Sequence, residues 1–449
     1  MITEEKTFCE VDMEQYIKEA YHRILKKELV SAMGCTEPIA IAYAAAKCRE
    51  VLGVMPQKCR VQCSGNIVKN VMGVTVPNSG GMKGIDVAAV LGILGGDVSR
   101  DLQVLETVTE EHIAEAKTLL KEGFCSCSLV QNVENLYILI ELTAGSNSAL
   151  VEIRSYHKNI TRIEKNGKLL FKQDASCNEV EVAEDPDFAL LNIEDIIEYG
   201  NSLEEEDIIR LLEYQLSCNL AIAEEGLTSP YGAQVGKTLL SSVHTKTPET
   251  ARIVAKAYAA AGSDARMNGC AMPVVINSGS GNQGLTASLP VKIYADIYNI
   301  QHKRTIRALA VSNLISIHQK KYIGSLSAYC GAVSAACGSG AAIAYLLGEA
   351  LPAKEIYRCV ADTITNTIAT VGGMVCDGAK SSCAAKIATA IDCAITGYEL
   401  SKRGHAFKPG EGLVMESVEG TIESVGRMGR EGMQATDVEI LQIMLGEEK

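Results

Sequence analysis

Residues 322–348 read YIGSLSAYCGAVSAACGSGAAIAYLLG and contain no charged side chain. The run is long enough to cross a bilayer, but Gly324, Gly331, Gly338 and Gly340 interrupt it and serine dilutes it. No comparable set of apolar spans accompanies it elsewhere in the chain. The run therefore predicts a buried core helix, or a pair of such helices, inside a mainly helical unit.

The overall composition limits the class of protein. The chain has 449 residues, of which 22% are charged, and a formal net charge of −13. This acidic balance argues against nucleic-acid and anionic-membrane partners, because both require a basic surface. It leaves room for an anionic small molecule at a locally basic site. The 16 cysteines, in a long chain without a leader-like N-terminal pattern, predict a reducing cytoplasmic location rather than a secreted disulfide framework.

The hydrophobic pattern changes along the chain and divides it into three segments. Residues 1–56 predict N-terminal helices that pack on the helical domain. Residues 57–190 alternate short β-branched runs with turns, which predicts a compact α/β domain. Residues 191–449 show helical periodicity interrupted by Gly-rich loops, which predicts a helical catalytic domain. We therefore expect an α+β fold, with a mainly helical C-terminal domain that carries the site and a smaller α/β domain.

Thiols are the strongest chemical signal. Two pairs, Cys330 with Cys337 and Cys376 with Cys383, lie in runs of Ala, Gly and Ser, and Cys35 lies in a turn far upstream. Thiolates that converge on one site favour a soft metal or an iron–sulfur cluster. A cubane with three protein ligands keeps one iron open as a Lewis acid. Taken singly, Cys330, Cys337 and Cys383 have core packing as their ordinary explanation, whereas the turns around Cys35 and Cys376 favour ligation or catalysis.

The remaining cysteines are assigned to packing, because no histidine lies near them at the spacing of a zinc site. They are Cys9, Cys48, Cys59, Cys63, Cys125, Cys127, Cys177, Cys218, Cys270, Cys359 and Cys393. The seven histidines show neither metal nor triad spacing. No lysine has a context that marks it as a Schiff-base residue, so pyridoxal phosphate is not expected.

A Gly/Ser/Asn loop at residues 277–284 predicts an anion site. It reads NSGSGNQG after an apolar strand-like run, and backbone N–H groups at this density of small residues can hold a carboxylate or a phosphate. The dinucleotide pattern G-x-G-x-x-G is also present, but Pro290 argues against a helix after it, which weakens that interpretation. The candidate binding residues are Asn277, Ser278, Gly279, Ser280 and Asn282.

Two further segments offer polar side chains for the site. Arg266 follows a predicted helix and can grip a carboxylate with two hydrogen bonds, although a surface arginine is an equally good explanation. Ser64 and Asn66 lie at the end of a predicted strand, where side chains often face a site. Ordinary turn chemistry is the alternative for these two residues.

These motifs together resemble the L-cysteine desulfidase family, which is related to the iron–sulfur-dependent L-serine dehydratases. The similarity runs from about residue 20 to residue 445, and the order of the motifs is more specific than any one of them. They are Gly34-Cys35-Thr36-Glu37-Pro38, Ser64-Gly-Asn66 with Gly73-Val-Thr-Val-Pro77, Ser263-Asp-Ala-Arg-Met267, the 277–284 loop, Leu326-Ser-Ala-x-Cys330, and Cys376-Asp-Gly-Ala-x-x-Ser-Cys383.

The resemblance implies an oxygen-sensitive [4Fe–4S] enzyme that works without pyridoxal phosphate and converts L-cysteine to sulfide, pyruvate and ammonia. By motif position, Cys35, Cys330 and Cys376 are the expected cluster ligands. Cys383 is a fourth candidate that could replace Cys35, which would then be free for proton transfer. Arg266 and the 277–284 loop would hold the substrate carboxylate, and Lys380 would add positive charge for catalysis. The sequence leaves the base open between a thiolate and a lysine.

Three alternatives stay open at this point. An L-serine dehydratase would use the same open iron on a hydroxyl. An iron–sulfur redox sensor without turnover would need exposed, reactive thiols, and the loop and Arg266 suit a small anion better. A helical protein with a cysteine-rich core would bind no iron. The expected partner is a small amino acid, with no nucleic acid and no membrane; a homodimer could form, although no apolar pattern marks its interface.

Overall fold

The computed structural model describes residues 13–173, 185–324 and 326–446 of the chain. Cys9 and Cys177, which the sequence assigned to packing, lie outside these ranges. The described residues form a sheet unit in the first part of the chain and a helical unit in the second. The predicted α+β class, with a mainly helical C-terminal part, is therefore confirmed.

The strands are β1 Ser31–Met33, β2 Lys58–Ser64, β3 Cys125–Val130, β4 Tyr137–Ala144, β5 Asn147–Arg154, β6 Ile160–Lys165, β7 Lys168–Lys172 and β8 Pro273–Val275. The α-helices are α1 Gln15–Glu28, α2 Thr36–Leu52, α3 Gly65–Met72, α4 Ile85–Gly95, α5 Glu110–Lys121, α6 Pro186–Ala189, α7 Ile193–Ser202, α8 Glu206–Thr228, α9 Val235–Leu240, α10 Ala251–Met267, α11 Gly281–Ile297, α12 His302–Ile323, α13 Gly331–Leu347, α14 Ala353–Val371, α15 Cys383–Ser401, α16 Val418–Arg427 and α17 Gln434–Leu445.

The sheet unit is built on six strands in the order β3-β2-β4-β5-β6-β7. Strands β2 and β3 are parallel, and each other neighbouring pair is antiparallel. Helices α2 and α4 pack together and against these strands, because α2 is Ala-rich and buries most of its length while α4 is apolar apart from Asp86 in its first turn. The turn between β5 and β6 points toward the helical unit and positions part of the site.

The N-terminal segment divides its contacts between the two units. Helix α1 packs on the helical unit, whereas α2 packs under the sheet. Strand β1, between them, pairs antiparallel with β8, with Ser31 opposite Val275. This short pairing brings the turn at Cys35 and the loop that follows β8 into one region. The division of the chain into domains at residues 56 and 190 stays a prediction.

The helical unit is organised around α13, the helix predicted from the uncharged run. Its residues from Ala332 to Leu346 are buried, and it packs against α11, α12, α14 and α15. Small residues make this possible: a Cβ at Gly338 would lie 2.5 Å from the carbonyl oxygen of Ser312, so only glycine permits the approach of α12. The helix begins at Gly331, later than the pattern suggested, so Cys330 precedes it as the N-cap.

Two local predictions are corrected. A helix does open after the 277–284 loop, and α11 continues through Pro290; nearly complete burial of this helix outweighs the lost hydrogen bond. The loop is nevertheless no dinucleotide fingerprint, because β8 belongs to a two-stranded antiparallel sheet and not to a parallel βαβ unit. The segment after Ser64, predicted as a turn, forms helix α3.

The uncharged run does not form a membrane span. Across residues 13–173, 185–324 and 326–446, no helix is long and apolar enough to cross a bilayer.

Candidate active site

A cavity of about 180 Å³ lies between the sheet unit and the helical unit. Its walls include the end of α1, the turn after β5, the loop before α11 and the loop before α15. Small-molecule sites often form at such junctions between units. All four predicted thiols, Cys35, Cys330, Cys376 and Cys383, line this one cavity.

Four helices of the described chain begin at the cavity wall. Cys35 is the N-cap of α2, Ser280 that of α11 and Cys330 that of α13, and Cys383 is the first residue of α15. Helix N-termini carry partial positive charge and free backbone N–H groups. Their convergence makes the cavity suited to anions such as thiolates and a carboxylate.

Cys330 and Cys376 interact directly through their side chains. The Cys330 thiol donates to the Cys376 sulfur, which lowers the pKa of Cys376, and Lys69 adds to this effect. The same contact, followed by burial, raises the pKa of Cys330. Backbone groups of Ala332 and Gly378 hydrogen bond to the two sulfurs and favour their ionised forms. Hydrogen bonds of this kind to sulfur also tune thiolates that bind iron.

The fourth thiol at the cavity, Cys35, has a different environment. Its Sγ donates to Oε2 of Glu37 at 2.9 Å. Burial first, and then the charge of Glu37, raise the pKa of this thiol. Cys35 also forms a small apolar cluster with Val74 and Met267, against which Cys383 packs. Cys35 thus donates to a carboxylate, whereas Cys330 donates to a second thiol that could bind the same cluster, so Cys35 suits proton handling better than metal binding.

The donor set fits an iron–sulfur cluster by chemical type. Cys330, Cys376 and Cys383 line one cavity, near backbone donors and the positive ends of helices. In the described ranges, no group of three or more Cys, His, Asp or Glu side chains is placed to hold a single metal ion. A single metal ion needs all of its ligands around one centre, whereas each thiolate of a cluster binds a different iron. Cys337 takes no part, because it is fully buried in the core.

Arg266, at the end of α10, provides a buried positive charge. The residue is 2% exposed, lines the cavity, and forms no ion pair within the described part of the chain. Its guanidinium lies over the start of α11, where a Cβ at Gly281 would come within 2.3 Å of Arg266 Nε. A carboxylate placed here would meet both a bidentate donor and a helix N-terminus.

Several buried polar atoms on the cavity wall have no hydrogen-bond partner among the described residues. They are Arg266 Nε, Asn282 Oδ1, Gln283 Oε1 and His157 Nε2. Buried polar groups are nearly always hydrogen bonded, since leaving one unpaired costs about 1–3 kcal/mol. Their concentration around one cavity indicates a polar ligand. Arginine N–H suits a carboxylate, and amide oxygens suit an ammonium group, so the set matches an amino acid.

The predicted binding residues separate into wall residues and supporting residues. Ser278, Gly279, Ser280 and Asn282 line the cavity. Asn277 does not; it is fully buried and donates to Oδ1 of Asn313 at 2.9 Å, which holds the start of the loop.

Ser64 and Asn66 also lie away from the cavity wall. The Ser64 hydroxyl donates to the carbonyl oxygen of Asn135 at 2.6 Å, and the Asn66 amide donates to Oδ1 of Asn135 at 3.0 Å. They tie α3 to the segment before β4. Asn70, on the same helix, does line the cavity.

Lys380 does not lie on the cavity wall. Its ammonium pairs with Asp377 at 2.5 Å and donates to the carbonyl oxygens of Asp377 and Gly378 at 3.2 and 3.1 Å. Lys386 pairs with the same carboxylate and does line the cavity. Although burial opposes ionisation, the two lysines hold the pKa of Asp377 at about 2. They fix the loop that carries Cys376.

Sequence reasoning missed several wall residues, among them Glu28, Glu37 and His157. Glu37 lies in a motif that was recognised, and its contact with the preceding thiol could have singled it out. Glu28 accepts a hydrogen bond from the backbone of Ser278, and burial raises its pKa to about 7. No local pattern marks Glu28 or His157, because long-range packing brings both to the site.

The chain is similar in sequence to one known protein family and to several known proteins. The sequence profile of the serine dehydratase alpha chain family matches residues 99–442. A UPF0597 protein of Lachnoclostridium phytofermentans is 49% identical over 423 residues, which cover 94% of this chain and 98% of the relative. A UPF0597 protein of Finegoldia magna is 44% identical over 426 residues, with 95% and 99% covered. A third, of Treponema denticola, is 42% identical over 428 residues, with 95% and 98% covered.

The match to this family points to a lyase of the serine dehydratase type. The chain belongs to the serine dehydratase alpha chain family and is related along nearly its whole length to the UPF0597 proteins. The family is typically iron–sulfur dependent, which suggests a [4Fe–4S] cluster.

Proposed function

We propose that the protein is an L-cysteine desulfidase, which eliminates sulfide from L-cysteine to give pyruvate and ammonia. The observation that carries the proposal is the combination, on one cavity, of three thiols with unpaired groups that match an amino acid. Arg266 and the N-terminus of α11 would bind the substrate carboxylate. The amide oxygens of Asn282 and Gln283 would accept from its ammonium group.

Cys330, Cys376 and Cys383 would hold the cluster. When bound, the cluster supplies a Lewis-acidic iron that stabilises the departing anion. Lys69 supports this side of the cavity, since its buried ammonium donates to the carbonyl oxygen of Cys376 at 3.4 Å and pairs with Asp437. Cys35 would be left as a protonated thiol beside Glu37. Lys380 would act through the position of the Cys376 loop, not through contact with substrate.

The preference for cysteine over serine rests on the surface beside Cys383. Cys35, Ala379 and Cys383 line the cavity there, and Val74 and Met267 pack behind them in one apolar cluster. A hydroxyl that enters such surroundings loses its hydrogen bonds to water, whereas a thiol, which forms weaker ones, loses less. L-serine is the second candidate substrate, because the matched family is that of the serine dehydratase alpha chain.

The test is an anaerobic comparison of the two substrates. Protein reconstituted with iron and sulfide is given L-cysteine or L-serine without pyridoxal phosphate, and sulfide, pyruvate and ammonia are measured. We expect kcat/KM to be higher for L-cysteine, with equal amounts of the three products. Pyruvate from L-serine alone would establish the dehydratase instead. Failure to convert either substrate, with the cluster intact, would refute the proposed function.

A further inference from the structure

The turn between β5 and β6 inserts a histidine into the cavity wall. His157 lines the cavity, and its ring lies against the anion loop, where a Cβ at Gly279 would come 3.3 Å from Cε1. The same loop is held to the start of α2, since the Thr36 hydroxyl donates to the carbonyl oxygen of Gly279 at 2.9 Å. His157 is thus the point at which the sheet unit meets the proposed carboxylate site.

The protonation state of this ring suits a base. Burial lowers the pKa of His157, and the positive charge of Arg266 acts in the same direction, while Glu37 opposes them. The imidazole is therefore neutral near pH 7, and one of its nitrogens has a free lone pair. Nε2 has no hydrogen-bond partner among the described residues, which is unusual for a buried polar nitrogen.

Other titratable groups on the described wall are already engaged. The Cys35 thiol donates a hydrogen bond to Glu37, and the same carboxylate accepts from Thr36 at 3.2 Å. Glu28 accepts from the backbone of Ser278, Lys386 is paired with Asp377, and Lys321 donates to the carbonyl oxygens of Phe188 and Leu191 at 3.0 Å. The thiol and the two ammonium groups already hold a proton, and the two carboxylates each accept at least one hydrogen bond, whereas His157 Nε2 has no partner among the described residues.

We propose that His157 is the general base of the elimination, with Nε2 accepting the α-proton of the bound amino acid. This inference rests on the proposed function and deepens it. As the proton moves to Nε2, the electron pair of the Cα–H bond forms the Cα=Cβ double bond. The Cβ–S bond breaks, and sulfide leaves with its electron pair. The aminoacrylate product tautomerises to an imine, which takes up water and gives pyruvate and ammonia.

The first experiment compares His157→Gln with the unchanged enzyme. Glutamine keeps a polar side chain of similar length but cannot act as a base. General-base catalysis contributes about 10²–10⁴-fold, so we expect kcat to fall by about 100-fold or more, with KM changed only a few-fold and iron content unchanged. The matched control is His302→Gln, which removes an exposed histidine that pairs with Glu213 and should leave kcat unaltered. A kcat within three-fold of the unchanged enzyme, or a change confined to KM, would overturn the assignment.

A second measurement separates this inference from the proposed function. Chloride leaves from Cβ without the help of a metal ion, so β-chloro-L-alanine can be eliminated by the base alone. We expect the unchanged enzyme to release pyruvate from it, and His157→Gln to do so about 100-fold more slowly. Pyruvate from β-chloro-L-alanine without conversion of L-cysteine or L-serine would leave His157 as the base and refute the proposed function. Equal rates in both enzymes, or no pyruvate from the unchanged enzyme, would overturn the role of His157.

Discussion

Substitution of Arg266 tests the proposed carboxylate site most informatively, because stability and catalysis should respond in opposite directions. Arg266 is buried, and its Nε has no hydrogen-bond partner among the described residues. In the absence of substrate the guanidinium therefore adds a desolvation cost without a compensating ion pair. With substrate present, it would make a bidentate, charge-assisted contact.

The expected magnitudes follow from these contacts. Hydrogen bonds to charged groups are worth about 1.5–3 kcal/mol each. Arg266→Lys should lose one of the two hydrogen bonds to the substrate carboxylate, worth about 2 kcal/mol, which lowers kcat/KM by about 30-fold. Arg266→Met should lose both, about 4 kcal/mol or roughly 10³-fold. The substrate-free Arg266→Met protein should nevertheless be at least as stable as the unchanged protein, because a methionine of similar length removes the unpaired charge.

The matched control is another buried arginine, Arg304. It is 8% exposed, and its Nε, like that of Arg266, has no partner among the described residues, but its Nη2 donates to the carbonyl oxygen of Tyr345 and the guanidinium stacks 3.7 Å from the centre of that ring. Arg304→Met should lower the free energy of unfolding by about 1–3 kcal/mol and leave kcat/KM unchanged. Anaerobic kinetics and denaturant unfolding of the three variants measure both quantities. If Arg266→Met were destabilised like Arg304→Met and kept its kcat/KM, the carboxylate site would be wrong.

Three further predictions concern neighbouring parts of the site. Gly281→Ala should raise KM, because the new Cβ would lie 2.3 Å from Arg266 Nε; an unchanged KM would show that the guanidinium position does not matter. Cys376→Ala should abolish iron binding, whereas the control Cys337→Ala should still bind iron and lose about 1 kcal/mol of stability. If iron analysis finds the cluster intact in Cys376→Ala, the proposed ligand set is wrong. Glu28 has a pKa of about 7, against an ordinary 4.5, so the folded protein keeps this proton at pH values where the unfolded chain has lost it. The contribution of Glu28 to the free energy of unfolding therefore falls as pH rises from about 4.5 to 7, by about 1.4 kcal/mol per pH unit. Glu28→Gln should flatten that slope in unfolding experiments, and an identical slope would exclude Glu28 as its source.

Much of the fold is readable from the sequence, because most elements have strong local patterns. The β-branched runs predicted between residues 57 and 190 form strands, among them β4 and β5, and the uncharged run forms α13 from Gly331 onward. The failures are local patterns that tertiary packing overrides. Pro290 is tolerated within α11 because that helix is almost entirely buried, and α3 is too short to form without its neighbours.

The site is only partly predictable, and the reason is sequence separation. The thiols and Arg266 were recognised because their residue types are chemically specific. Ser64 and Asn66 were predicted as site residues because they lie at the end of a strand. The sheet-unit side chains that line the cavity include instead those of Asn70, on α3, and His157, in the turn after β5. The contact of His157 with Gly279 joins residues more than a hundred positions apart, and it depends on how the sheet unit docks on the helical unit.

The decisive measurement is Mössbauer spectroscopy of protein reconstituted with isotopically enriched iron, recorded anaerobically before and after addition of L-cysteine. Three thiolate ligands leave one iron of a [4Fe–4S] cluster without a protein ligand, and that iron should give a distinct signal. We predict that L-cysteine shifts this signal alone, and that Arg266→Met abolishes the shift at the same substrate concentration. Four equivalent irons that do not respond to L-cysteine or L-serine would contradict an open iron that binds substrate at this cavity.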